Sequence, residues 1–218
     1  MRAFTLADER DVAEVIIVVA AIGVFLWFGR QVFSGFDVLF GISLLAMLAY
    51  SHRRAGERWR EIGFRSDTFW PTLRLLLPVV LLGGVAIAGA SIVLRELGVS
   101  APRKAPAMIP VFVAFGIAQQ YVMLGFMFRR VQRVAGVRFA PILTAVLFAL
   151  LHLPNVFLTS VTFVWGMVAC LVYRRSPNIW ANGLVHGLMS AQLFYLLPQA
   201  VTHGLHVGME YVHCCTVR

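Results

Sequence analysis

Apolar residues run along this chain in long blocks, and polar residues gather in short breaks between them. A bilayer core of about 30 Å accepts about 20 apolar residues in a helix. On that measure the blocks predict about seven spans, at 13–33, 36–51, 71–95, 106–128, 140–153, 156–173 and 179–198. The second and fifth are short, which fits a tilted or re-entrant segment. The pattern therefore predicts an all-α, polytopic integral membrane protein. Asp8, Glu9, Asp11 and Glu14 precede the first apolar block, so that block is read as a span and not as a secretory signal. The break at 57–69 interleaves charge with Trp59, Ile62, Phe64 and Phe69. It fits an interfacial helix or a basic loop equally well. The expected organisation is N-terminal spans with a basic loop over 1–104, a core over 105–198 and a tail over 199–218.

Composition agrees and excludes alternatives. Of 218 residues, 60% are hydrophobic and 13% charged, against about 45–50% and about 25% in ordinary soluble domains. The net charge of +9 would indicate nucleic acid in a soluble protein; here it reflects basic loops, and no nucleic-acid partner is expected. With a cytoplasmic N-terminus, the arginine-rich segments 53–65, 129–138 and 174–175 all fall inside. Arg30, Arg95, Arg103, Lys104 and Arg218 fall outside. This asymmetry predicts the N-in orientation, in the cytoplasmic membrane of a bacterium or archaeon. The ten acids are unevenly placed, and none lies between Glu96 and Glu210. Three cysteines make no disulfide framework. His203, His206, His213, Cys214 and Cys215 carry zinc-type ligands at a spacing that fits no standard site, so the tail is read as interfacial or flexible.

Polar side chains at membrane depth face a bundle interior and tend to mark function. They concentrate in the later spans: Gln119 and Gln120, His152 and Asn155, then Asn178, Asn182, His186, Ser190 and Gln192. Phe148 and His152 are four apart and share a helix face, as do Asn178, Asn182, His186 and Ser190. Two histidines on packed helices can hold a water or a metal. They serve equally as hydrogen-bonding glue between helices.

The same residues resemble the CPBP family of CAAX proteases and bacteriocin-processing (Abi) enzymes. That family carries Glu-Glu-x-x-x-Arg, then Phe-x-x-x-His, then His-x-x-x-Asn on successive helices. Here the blocks read Gln119-Gln120 through Leu124, Phe148 through His152, and His186 through Ser190. Trp165-Gly166, Tyr173-Arg174 and Ile179-Trp180 between them are similar to the family's linking elements. The resemblance covers about 105–195 and implies a four-helix core in the C-terminal half. It implies water activation by the first glutamate position and the histidines, with the second histidine and the asparagine position supporting the oxyanion. Both histidines match. Gln119 and Gln120 stand at the glutamates, Leu124 at the arginine and Ser190 at the asparagine.

The catalytic set implied is His152, His186, Gln119, Gln120 and Ser190, with Phe148, Asn155 and Asn182 lining the substrate cavity. A glutamine amide takes up no proton, and the acid-free stretch supplies no local replacement. Three functions follow: an intramembrane endopeptidase with degenerate motifs, a pseudoprotease that binds a transmembrane or lipidated peptide, and, least favoured, a small transporter. The partners implied are membrane lipids and a prenylated, peptide or transmembrane substrate; the oligomeric state is left open. A divalent metal such as zinc is the only cofactor that His152 and His186 would call for, and two ligands are fewer than the three usual at catalytic zinc.

Overall fold

The computed structural model describes residues 5–29, 35–99 and 106–215, and among them every regular element is helical. The helices are α1 (Leu6–Trp27), α2 (Phe36–Arg54), α3 (Trp59–Ile62), α4 (Phe69–Glu96), α5 (Ile109–Gln120), α6 (Arg129–Leu150), α7 (Val156–Arg175), α8 (Ile179–Leu196), α9 (Gln199–Thr202) and α10 (Gly208–Cys215). A π-helical run, Tyr121–Phe128, joins α5 to α6. Among the described residues, three helices are long and apolar enough to cross a membrane: Phe69–Glu96, the continuous run Pro106–Leu150, and Val156–Arg175. The run Pro106–Leu150 covers two predicted spans. The backbone leaves helical geometry between them, at Gly136 (φ 78°, ψ 167°), a conformation that favours glycine. The other predicted spans fall on α1, α2 and α8, whose charged ends or polar stripe lower their apolar character. Residues 30–33 of the first predicted span, and Arg30, Arg103, Lys104 and Arg218 of the charge pattern, lie outside the described residues.

The chain forms two compact units, one of residues 1–58, 122–171 and 207–218, the other of 59–121 and 172–206. In the first unit, α1 starts at a capping box. Asp8 N–H donates to Thr5 Oγ1 at 3.3 Å and Asp8 Oδ2 accepts from Thr5 N–H at 2.8 Å, satisfying donors that a helix start leaves free. α1 packs on α6 and on α10. α7 lies close to the second half of α6 at Gly166, where an added Cβ would stand 3.1 Å from Ala145 Cα. α10 is a folded element within the predicted tail, and its Gly208 N–H donates to Leu153 O at 2.8 Å. Its cysteines 214 and 215 are disulfide-bonded to each other, a link between neighbours that ties no two elements together.

The second unit is built on α4, α5 and α8. The α5–α8 contact is made by glycines. A Cβ on Gly116 would lie 2.6 Å from Gly183 O, and one on Gly187 would lie 2.5 Å from Phe112 O. Backbone thus meets backbone, as in membrane helix pairs with small residues four apart. The charged break at 57–69 is neither a long interfacial helix nor a plain loop. It holds the single turn α3 and then a strap: Tyr173 Oη donates to Ile62 O at 2.5 Å and Ile179 N–H to Gly63 O at 2.9 Å.

Candidate active site

In the second unit, α5 ends on Gln119 and Gln120, and the glycine contact brings α8 against that end. Gln120 is fully buried, and its Nε2 donates to Nδ1 of His186 at 2.7 Å. An amide nitrogen only donates, so His186 carries its own proton on Nε2. Two of the sequence-expected site residues are thereby joined directly. Ser190 lies one turn further along α8, and Gln119 is partly exposed beside Gln120. Asn182 lies one turn before His186. It is fully buried, and its Nδ2 donates to Asn178 O at 2.8 Å. Gln120 Oε1 and Asn182 Oδ1 are buried acceptors with no hydrogen-bond donor among the described residues. Burying an acceptor without a donor costs about 1–3 kcal/mol, so these atoms suit a ligand that brings N–H or O–H groups.

Asn178, the start of the polar stripe, has structural work. Its Oδ1 caps α8 by accepting from Ala181 N–H at 2.8 Å, and its Nδ2 donates to Arg65 O at 2.6 Å and to Thr68 Oγ1 at 3.1 Å. Thr72 Oγ1 donates to Ser176 O at 3.0 Å nearby.

In the first unit, Phe148 and His152 stack edge to face with ring centres 4.8 Å apart. The His152 Nδ1 lies 2.8 Å from Phe148 O. A carbonyl accepts only, so Nδ1 carries the proton and Nε2 keeps its lone pair. The turn after His152 contains a cis Leu153–Pro154 bond and leads to Asn155, which is fully buried. Asn155 Oδ1 accepts from Leu158 N–H at 3.0 Å and so caps the start of α7.

The π-helical run begins immediately after Gln120. Such runs are rare and frequently mark functional sites. Sequence reasoning treated 106–128 as one regular helix and missed it, because no single residue type signals a π turn. The widened turn also alters which residues share a face beyond Gln120. Leu124, at the arginine position, is fully buried.

A second omission is the charge network of the first unit. Arg130 is buried to 1% exposure, stacks 3.6 Å from the Phe126 ring centre, and donates to Glu14 Oε2 and Ser51 Oγ, each at 2.7 Å. Arg133 Nε donates to Asp11 Oδ2 at 2.6 Å. Glu57 accepts from Arg129 Nη2 and from Arg133 Nη1, both at 2.9 Å, and pairs with His52. Burial opposes ionisation of Glu57, but the hydrogen bonds from His52 and Arg129 prevail and hold its carboxyl well below the usual range. Positive charge in the acid-free stretch is thus neutralised by acids from the N-terminal part of the chain.

A resident metal finds no support in the donor set. Among the described residues, no three His, Cys, Asp or Glu side chains come together as a metal site, and the His152 and His186 Nδ1 atoms are each taken by a protein partner.

Residues 101–192 match the family model described as type II CAAX prenyl endopeptidase, Rce1-like. The chain carries an Rce1-like segment of the CAAX-protease family. No curated protein and no solved structure matches the chain. The Rce1-like segment spans every expected site residue, from Gln119 to Ser190, and the apolar helices around it are those of an integral membrane protein.

Proposed function

We propose that the chain is an intramembrane endopeptidase of the CAAX-processing type that works through histidine side chains, with glutamines at the family's glutamate positions. The observation that carries this reading is the Nδ1 contact of His152 with Phe148 O at 2.8 Å. It leaves Nε2 of a buried imidazole unprotonated, the form a general base needs. His186 has the opposite tautomer, and its Nε2–H is suited to donate to an oxyanion. Ser190 adds a hydroxyl donor one turn away. Gln119 and Gln120 hydrogen-bond and orient; they move no proton. Phe148, Asn155 and Asn182 are assigned to substrate contact, Asn155 while also capping the start of α7. The segment 105–198 is the catalytic core, and the N-terminus faces the cytoplasm. The substrate is a prenylated or other membrane-proximal peptide. A carboxylate base contributes about 10²–10⁴-fold, so turnover is slow beside glutamate-bearing relatives.

The unpartnered acceptors Gln120 Oε1 and Asn182 Oδ1 favour a second reading, a peptide-binding pseudoprotease, because they match the N–H groups of an extended backbone. Incubation of the purified protein with a farnesylated CAAX peptide separates the two. Slow release of the C-terminal tripeptide, lost in His152→Ala, supports the protease. Peptide binding with no product, retained in His152→Ala, supports the binder.

A further inference from the structure

At the end of the first unit where α1 begins and α2 finishes, one carboxylate is shared by several donors. Glu14 accepts from Arg10 Nε at 2.9 Å, from Ser51 Oγ at 2.7 Å and from Arg130 Nε at 2.7 Å. A pocket of about 130 Å³ opens beside it, with Arg10, Tyr50, Ser51 and Arg54 at its polar side. Arg54 lies 5.9 Å from the Tyr50 ring centre and has no carboxylate partner among the described residues. Three guanidinium groups, Arg10, Arg54 and the buried Arg130 behind Glu14, therefore gather around a single negative charge. The pocket carries surplus positive charge, and its volume is that of about four waters at about 30 Å³ each, room for one phosphate group. Planar guanidinium forks match phosphate oxygens in geometry as well as charge.

The remaining lining decides between a soluble phosphate and an amphiphile. Ile17, Met47 and Phe126 form the other side of the pocket, and Ile16, Ile17, Ile42 and Met47 present exposed apolar side chains on α1 and α2. A free anion gains nothing from that surface, whereas a lipid lays its acyl chains along it. Both helices carry predicted spans, so this charged end lies where headgroups are, and basic pockets at helix ends take anionic headgroups. We propose that the Arg10–Arg54 pocket binds the phosphate of an anionic phospholipid, with Arg54 as its principal contact and Glu14 as the group that holds Arg10 and Arg130 in place.

Native mass spectrometry of the full chain with phosphatidylglycerol, phosphatidylcholine or inorganic phosphate tests this. Phosphatidylglycerol is expected to be retained over phosphatidylcholine, with a loss of about fivefold for each arginine removed in Arg54→Gln and in the Arg10→Gln, Arg54→Gln pair. Arg54→Lys keeps most of the binding because the charge remains. Arg54 makes no ion pair among the described residues, so the single variant reports on binding independently of folding, and its thermal unfolding midpoint matches wild type. Equal retention of the two lipids, or unchanged retention in Arg54→Gln, overturns the proposal. Displacement of the lipid by inorganic phosphate overturns the assignment to a headgroup.

Discussion

At the residue scale, burial decides which charges matter. Arg130 is 1% exposed and its guanidinium is held by Glu14, Ser51 and the Phe126 ring. Removing one partner of a buried pair costs about 3–5 kcal/mol, because the other is left uncompensated. Arg130→Ala is therefore expected to lower the unfolding midpoint sharply in detergent. Arg60→Ala, whose partner Asp67 is an exposed loop carboxylate at 2.9 Å, is expected to leave it unchanged. Glu57 carries a pH signature. Its folded value lies below its unfolded one, so its contribution is fully present above the unfolded value of about 4.3. It is lost as pH falls through and below that value. Wild type should lose stability between about pH 5 and pH 3, and Glu57→Gln should be less stable at pH 7 and flatter across that window. Equal slopes in thermal melts would reject the ion network as a source of acid sensitivity. Much at this scale was legible. Gln120 and His186 were read as site candidates but not as direct partners, a contact that only the packed helices show, and His152 sits four residues after Phe148 as read. The Arg130–Glu14 pair was not legible, because its partners are 116 residues apart and nothing local to either signals the other.

At the element scale, the contact between α5 and α8 positions the site. Gly183-x-x-x-Gly187 is written in the sequence, yet its meaning depends on Gly116 arriving opposite it, which only the packed helices reveal. An added Cβ at Gly187 meets Val113 Cα and Phe112 O, each at 2.5 Å, backbone atoms that cannot swing aside. Gly187→Ala is expected to cost about 1–3 kcal/mol as overpacking and to separate Gln120 from His186. Gly89→Ala on α4 has open space around it and should be neutral or slightly stabilising, since alanine favours helix. Comparing the two in unfolding experiments isolates packing from helix propensity. Hydrophobic blocks located most helices to within a few residues. The strap over 57–69, the break at Gly136 and the π-helical run depend on tertiary hydrogen bonds and backbone dihedrals, which an apolar pattern does not encode. The polar stripe of α8 was legible as a stripe, but assigning Asn178 to capping and strap contacts required its partners.

At the scale of the whole molecule, the exposed surface is apolar where a soluble protein's would be charged. Leu77, Leu81, Leu82, Val85, Ile92 and Val93 of α4 all face outward, as lipid contact requires. The segment 101–192 matches the Rce1-like model of CAAX-type endopeptidases, and the mechanism proposed for it runs through histidines rather than glutamates. Release of the C-terminal tripeptide from a farnesylated CAAX peptide, followed by mass spectrometry, tests this directly when wild type, His152→Ala and a Gln119→Glu, Gln120→Glu, Leu124→Arg variant are run together. The histidine mechanism predicts slow cleavage by wild type, none by His152→Ala, and a gain of about 10²–10⁴-fold on restoring the carboxylates. No wild-type cleavage, or cleavage that survives His152→Ala, would contradict it.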